Sequence, residues 1–187
     1  GHHLNRFLSH DLPWAICSVI WRKNEFIRIG SFNTDFSRLQ DVELHTRALI
    51  NKISYKIIKD SKVDCYYRID LDRITETYFQ LLNHKLESTI FYVEFFAKNL
   101  IENNLENKLK FLKGTLFKSL SEIFSSYRLM LISNQEKEDL LKMYLGSMFK
   151  IDLLNKADIF ILKLYIKIQN KVRIKGINFI LNKYLIS

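Results

Sequence analysis

The sequence predicts an α+β protein that is mostly α-helical, with a small partial sheet and short helices up to residue 71 and a helical bundle from residue 72 onward. Two observations predict this class. Apolar runs of strand length occupy the first part, whereas apolar residues recur every three or four positions in the second. The chain has 187 residues, 48% of them hydrophobic, with 5 Gly and 1 Pro, so it can bury a core and is not expected to be disordered.

The first part contains both strand-like and helix-like segments. Trp14–Trp21 (WAICSVIW) is apolar on both alternating faces, which predicts a strand buried on both sides. A short helix is predicted at Trp21–Ile29, and Gly30 would end it in the left-handed backbone conformation. A second helix is predicted at Asp41–Ile53. Two further strands are predicted, at Tyr55–Lys59 and Val63–Ile69.

The second part has helical periodicity from Arg73 onward. Ser133 with Glu136 forms the pattern of a capping box, which predicts a helix that runs to Phe149. Gly114 lies inside a long apolar stripe, where a kink is expected to be tolerated. A last helix is predicted from about Lys156, although Ile161–Ile168 is also compatible with a strand. The two longest stripes are Tyr78, Leu82, Leu86, Thr89, Val93, Phe96 and Leu100, and then Leu109, Leu112, Leu116, Leu120, Ile123, Tyr127 and Leu131.

Charge and cysteine usage limit the class of protein further. The net charge is +9, and residues 150–187 supply +6 of it, from eight Lys or Arg and two Asp.

Cys17 and Cys65 both lie in apolar runs, which predicts buried, reduced thiols in a cytoplasmic protein. Neither a signal peptide nor an apolar run of membrane-spanning length is visible. Gly1-His2 is typical of the remnant of a cleaved tag and is not expected to contribute to the fold.

A glycine-aromatic turn and an acidic helix start follow the first apolar run. The turn reads Ile29-Gly30-Ser31-Phe32, the helix begins at Gln40-Asp41, and Arg47 follows six residues after Asp41. In this order the residues resemble family-2, GT-A-type glycosyltransferases. The resemblance runs from about Pro13 to Ile69, roughly a third of the chain. Gln40 departs from it, because the family usually has glutamate at that position.

The resemblance implies a function and a division of the chain. Residues 1–71 would be the acceptor-side, C-terminal part of a GT-A-like domain, and residues 72–187 a helical C-terminal extension. The whole enzyme would transfer a sugar from a nucleotide-sugar donor to a glycan or lipid-linked acceptor, in bacterial surface polysaccharide biosynthesis, with Asp41 as the catalytic base. Its nucleotide-sugar half and its divalent metal, Mg²⁺ or Mn²⁺, would lie outside this chain. We therefore expect no metal or cofactor in the fragment, and no activity of the fragment alone.

The candidate site residues each have a structural alternative. Asp41 could accept the proton of an acceptor hydroxyl or could only cap its helix. Trp14 could stack on the acceptor sugar or could belong to the core. Arg38, Gln40 and His45 could contact donor or acceptor, or could be ordinary polar residues of a loop and a helix edge. We predict that Arg47 is structural and pairs with an acidic residue across the sheet.

One further acidic motif is not interpreted as a site. Asp70-Leu71-Asp72 is an Asp-x-Asp sequence, but in the family such a motif precedes the catalytic aspartate by a long interval. Asp72 is better interpreted as a helix N-cap. The sequence contains no Cys/His set with zinc spacing and no glycine-rich phosphate loop.

The basic C-terminal segment suggests an alternative function. Lys163, Lys167, Lys171 and Lys175 repeat every four residues and would share one helical face. That face could contact an anionic membrane or could simply be solvated. The alternative to an enzyme is therefore a non-catalytic basic helical module that binds a membrane surface or nucleic acid. Nucleic acid is disfavoured because the aromatic residues lie on core stripes. We expect a cytoplasmic protein, peripheral to the inner face of the membrane, that self-associates through exposed strand edges.

Overall fold

The computed structural model describes residues 2–58, 77–171 and 176–186, apart from the side chain of residue 182. The chain divides into two compact units, Gly1–Thr77 and Tyr78–Ser187. The described residues form eight α-helices, three in the first unit and five in the second. The domain boundary predicted between residues 71 and 72 lies outside the described residues, as do the predicted strand Val63–Ile69, Cys65 and the Asp70-Leu71-Asp72 motif.

The first unit begins with a helix that the sequence analysis did not predict. Helix α1 (His2–Leu8) buries Leu4, Phe7 and Leu8, which lie at the i, i+3 and i+4 spacing of an apolar helix face. It packs against α3 (Gln40–Ile50). His2, which the sequence assigns to the remnant of a cleaved tag, is the first residue of α1.

The core of the first unit forms around α3. This helix follows Leu39, which adopts a left-handed backbone (φ 65°), and it ends before Asn51. Ile29, Leu44 and Ala48 form a buried cluster against which Trp21, Phe26 and Ile53 pack. The short helix α2 (Lys23–Arg28) precedes Gly30, whose φ of +89° favours glycine. The two helices predicted in this unit are thus confirmed as α2 and α3, and their observed ends differ from the predicted ones by one to three residues.

The predicted sheet is wrong for the residues that the structure describes. Trp14–Trp21 is irregular apart from a 3-10 turn at Ile16–Ser18, and Ile20 is 95% exposed. The described part of Tyr55–Lys59 has no regular structure, and Tyr55 and Ile58 are exposed. An apolar run becomes a buried strand only when neighbouring strands satisfy its backbone groups. No such neighbour is present among residues 2–58, so the fold class is all-α over the described chain and not α+β.

The second unit is the helical bundle that the periodicity predicts. Its helices are α4 (Tyr78–Glu102), α5 (Leu109–Arg128), α6 (Asn134–Met148), α7 (Lys156–Gln169) and α8 (Ile177–Ile186). Helix α5 contacts α4, α6 and α8. It also contacts α7, where the Phe117 and Tyr165 ring centroids are 5.0 Å apart. The predicted stripes are buried in their central parts, from Leu82 to Leu100 and from Leu112 to Ile123.

Local capping signals define the start of α6 as predicted. The Ser133 hydroxyl accepts a hydrogen bond from the Glu136 backbone N–H at 3.2 Å, and the Ser133 N–H donates to the Glu136 carboxylate at 2.7 Å. This reciprocal pair is the capping box expected from the sequence. Helix α5 continues through Gly114 without interruption.

Buried polar contacts join the helices of the second unit. The Tyr144 hydroxyl donates to the Leu116 carbonyl at 3.0 Å, and burial raises the pKa of this phenol. The Lys113 ammonium lies 2.8 Å from the carboxylate of the buried Asp158. Within the described ranges, none of the helices combines the length and the apolar composition needed to cross a membrane.

Candidate functional site

A cavity of about 260 Å³ opens beside the first turn of α3 in the first unit. Its wall is mostly apolar, and three of its residues are candidates from the sequence: Trp14, Asp41 and His45. The size lies just below the roughly 300 to 1,000 Å³ of sites for drug-sized ligands. The complete lining consists of Phe7, Leu12, Trp14, Ala15, Asp41, Val42 and His45.

Trp14 contributes an aromatic ring to the cavity wall and carries a hydrogen-bond donor that has no partner among the described residues. Its ring packs edge-on against Phe7 and His45, with centroid distances of 5.0 and 5.9 Å. The indole Nε1 is buried and has no hydrogen-bond partner among the described residues. A buried indole N–H usually finds a partner, so Trp14 carries a donor that the described residues leave unsatisfied.

His45 carries the second ring nitrogen in this wall that has no hydrogen-bond partner among the described residues. The side chain is only 3% exposed, and its ring lies parallel to that of Trp21 at 5.9 Å. Its Nε2 has no hydrogen-bond partner within the described residues. Burial lowers the pKa of His45 below its ordinary value, and the nearby Asp41 charge opposes this shift. A neutral imidazole at this position can donate or accept through Nε2, depending on the tautomer.

Asp41 is placed in the first turn of α3 and one turn before His45. The N-cap of the helix is Leu39, with no side-chain cap, so Asp41 does not occupy the capping position. Its half-buried carboxylate makes no hydrogen bond or ion pair within the described residues. The helix dipole favours an anion at this end. The carboxylate is therefore available as a hydrogen-bond acceptor for a group in the cavity.

Arg47 joins the glycine turn to α3. Its guanidinium donates to the carbonyls of Ile29 and Ser31, on either side of Gly30; the bond to Ser31 is 2.6 Å long. It also pairs with the Glu43 carboxylate at 2.5 Å. Arg47 is thus structural, as predicted. Its predicted partner across a sheet is wrong, because the i, i+4 spacing places Glu43 beside it on the same helix.

The other two predicted contact residues lie outside the cavity wall. The Gln40 amide donates to the Ser37 carbonyl at 2.9 Å and so stabilises the loop before α3. Arg38 is half-buried in that loop. Sequence reasoning missed Phe7, although Leu4, Phe7 and Leu8 have the spacing of a helix face. Cys17, which was expected to be buried, is exposed because its segment is not covered as a central strand would be.

The candidate membrane residues belong to the second unit. Lys163 and Lys167 are exposed on α7, and Lys171 is exposed just after that helix ends. The Lys163 ammonium lies 6.0 Å from the centroid of the Phe149 ring. Lys175 lies outside the described residues.

Among residues 2–58, 77–171 and 176–186, no group of three or more His, Cys, Asp or Glu side chains could hold a metal ion. The cavity wall combines the side chains of Asp41, Trp14 and His45 with apolar residues. Comparisons with protein family models, curated proteins and solved structures each found no match to this chain.

The titration of His45 is a direct test of this geometry. We expect a pKa below 6.5 for His45 in the wild type, and a lower one in Asp41→Asn, because the variant removes the charge that opposes the effect of burial. Proton NMR titration of the imidazole measures both values. Asp35→Asn, on an exposed loop, is the control and should leave the His45 pKa unchanged. A higher pKa of His45 in Asp41→Asn would contradict the placement of the two side chains.

The same shift has a consequence for stability. The pKa of His45 is depressed in the folded state, so its contribution to stability is present above about pH 6.5, the ordinary value. This contribution is lost as the pH falls through the folded-state pKa.

Proposed function

We propose that this chain provides the general base and the acceptor-binding cavity of a glycosyltransferase, which moves a sugar from a nucleotide-sugar donor to a hydroxyl of a glycan or lipid-linked acceptor. The pathway would be bacterial surface polysaccharide biosynthesis. The observation that carries the proposal is that Asp41, whose carboxylate has no partner among the described residues, lines one small cavity together with Trp14 and His45, each of which has a buried ring nitrogen without a partner in that same part of the chain.

A sugar ring matches the chemistry of this cavity. Its hydroxyl groups both donate and accept hydrogen bonds, so they match the polar groups carried by the wall side chains of Asp41, Trp14 and His45. Its apolar face can pack against the Trp14 and Phe7 rings. The volume of about 260 Å³ suits one ring rather than a long glycan. The rest of an extended acceptor would then lie outside the cavity.

The proposed reaction is an inverting displacement. The acceptor hydroxyl gives its proton to an Asp41 carboxylate oxygen while its oxygen attacks the anomeric carbon of the donor. The bond between that carbon and the diphosphate oxygen breaks, and the nucleoside diphosphate leaves with the electron pair. General-base catalysis of this kind requires the carboxylate within hydrogen-bond reach of the hydroxyl.

The loop before α3 has a positioning role in this proposal. Arg47 binds the carbonyls on both sides of Gly30 and pairs with Glu43 on α3. Arg47 thereby fixes the start of residues 31–39 against α3. The end of this segment leads directly into the first turn of α3, where Asp41 lies. Two residues of the family resemblance, Gly30 and Arg47, thus lie side by side at the start of the segment that leads to Asp41, and this supports the proposal.

Acceptor binding can be tested on the chain itself. We expect monosaccharides and disaccharides from a panel of methyl glycosides to shift the Trp14 indole N–H resonance in ¹H–¹⁵N spectra. Trp14→Phe keeps an aromatic ring but removes the donor. Saccharide binding, followed in this variant through the backbone amide resonances of Val42 and His45, should weaken about threefold to tenfold, the value of one hydrogen bond.

Trp21→Phe is the matched control for this experiment. Its Nε1 is also buried without a partner among the described residues, but Trp21 does not line the cavity. Affinity in this variant should stay within about twofold of wild type. Equal weakening by both variants, or no saccharide that shifts the Trp14 resonance, would contradict acceptor binding in this cavity.

A further inference from the structure

Helix α7 exposes a face that combines lysines with large apolar side chains. Lys156, Phe160, Lys163, Leu164 and Lys167 are all exposed and lie at spacings of three and four residues, so they share one side of the helix. Phe160 is 68% exposed. Lys171 continues the same line just beyond the C-terminus of the helix.

The acidic side chain of α7 is turned away from this face. Asp158 is buried, and its carboxylate accepts a hydrogen bond from the backbone N–H of the N-cap residue Asn155 at 3.0 Å and pairs with Lys113 of α5 at 2.8 Å. Leu162 and Tyr165 are buried on the same inner side. The packing against α5 therefore leaves an outer face of α7 that carries positive charge and no negative charge.

Helix α8 has an exposed face of the same composition. Phe179 and Ile180 are 75% and 65% exposed, and Lys183 and Tyr184 are exposed beside them. The Tyr165 hydroxyl of α7 donates to Asn178 of α8 at 3.0 Å, so the two helices are in contact. From residue 159 to residue 187 the sequence contains six Lys or Arg and no Asp or Glu.

We propose that the exposed faces of α7 and α8 dock the protein on an anionic lipid bilayer. Phe160, Leu164, Phe179 and Ile180 would enter the headgroup region, while the lysines extend to the lipid phosphates. Lysine stems can lie along an apolar surface with the ammonium in the polar layer. Helices with a basic polar side and large apolar residues bind in the plane of such an interface.

Charge and side-chain chemistry favour a bilayer over the other possible occupants. A second copy docked on the same face would bring two positive surfaces together, which is unfavourable. Single-stranded nucleic acid gains affinity from aromatic stacking on bases, but Leu164 and Ile180 are aliphatic and cannot stack. Aliphatic side chains are instead stabilised in the acyl boundary of a membrane.

Vesicle binding tests this surface independently of sugar transfer, because all its residues lie in the second unit. We expect the chain to co-sediment with phosphatidylcholine vesicles that contain 30% phosphatidylglycerol (about one-third anionic lipid), and much less with pure phosphatidylcholine. Lys163→Gln with Lys167→Gln should lower the partition coefficient about 30-fold, since each lysine near an anionic surface contributes about 1 kcal/mol.

A matched double variant controls for total charge. Lys98→Gln with Lys142→Gln removes two exposed lysines from α4 and α6 and should change the partition coefficient less than about threefold. Phe179→Ser with Ile180→Ser keeps the charge and should weaken binding about tenfold or more by removing the apolar contribution. These side chains are exposed, so circular dichroism should show an unchanged helix content.

Three results would overturn the proposal. One is an equal loss of binding in the two lysine double variants, which would indicate attraction by net charge alone. Another is no binding of the wild type to the phosphatidylglycerol vesicles. The third is tighter binding to a duplex or single-stranded oligonucleotide than to these vesicles at the same ionic strength, which would assign the face to nucleic acid.

Discussion

For the proposed sugar transfer, replacing Asp41 with asparagine is expected to lower kcat by about 10² to 10⁴-fold, the usual contribution of general-base catalysis. Asparagine has nearly the same shape as aspartate, so the fold should survive, but its amide cannot accept the proton of the acceptor hydroxyl. Donor affinity should hardly change, because the variant alters the acceptor side of the reaction. The measurement is steady-state transfer of labelled sugar, with KM for the donor determined in parallel.

Because Asp41 is not the N-cap residue of α3, a loss of turnover in Asp41→Asn can be distinguished from a loss of helix stability. Leu39, and not Asp41, is the N-cap residue. Removing the charge near the helix N-terminus should therefore cost only about 0.3 to 1 kcal/mol of stability. Asp35→Asn removes a carboxylate from the preceding loop and is expected to leave kcat unchanged. Turnover of Asp41→Asn within about threefold of wild type would exclude Asp41 as the base.

Replacing Arg47 with methionine is expected to destabilise the first unit by about 3 to 5 kcal/mol. The Glu43 side chain is 0% exposed, and Arg47 is its ion-pair partner at 2.5 Å. Without the guanidinium, a buried carboxylate has no partner, and the carbonyls of Ile29 and Ser31 lose their donor. Urea unfolding followed by tryptophan fluorescence measures this unit specifically, because both tryptophans, Trp14 and Trp21, belong to it.

Two further variants decide whether the buried pair causes the effect. Glu43→Leu combined with Arg47→Met removes both charges and should be more stable than Arg47→Met alone, because no unpaired carboxylate remains. Arg28→Met breaks the exposed pair with Glu25 and should cost less than about 1 kcal/mol. A loss in Arg47→Met no larger than that in Arg28→Met would contradict the structural role of Arg47.

The helices of the second unit could be predicted from the sequence because their signals are local. Apolar residues from Leu82 to Leu100 recur at helical spacing and are buried, as expected. Ser133 and Glu136 lie three residues apart and form the predicted capping box. Such patterns depend on residues within one turn of each other, so packing between helices changes them little.

The predicted sheet was wrong because a strand is not a local structure. Trp14–Trp21 has the composition of a buried strand, yet a strand requires a partner whose backbone groups pair with its own. The described residues provide no such partner, and the segment contains only a 3-10 turn. Helix α1 was missed for a related reason. It is only seven residues long, and its stability depends on burying Phe7 and Leu8 against α3.

The sequence by itself determined the helical bundle, the glycine turn at Gly30 and the placement of Asp41 one turn before His45, since all of these depend on residues close together in the chain. Only the tertiary structure decided that Trp14 meets Asp41 and His45 in one cavity, and that Arg47 joins Glu43 to the carbonyls around Gly30. Those contacts form when α1 and the segment before α2 pack on α3. Packing of this kind is set by non-local burial, which a periodic pattern of side chains does not specify.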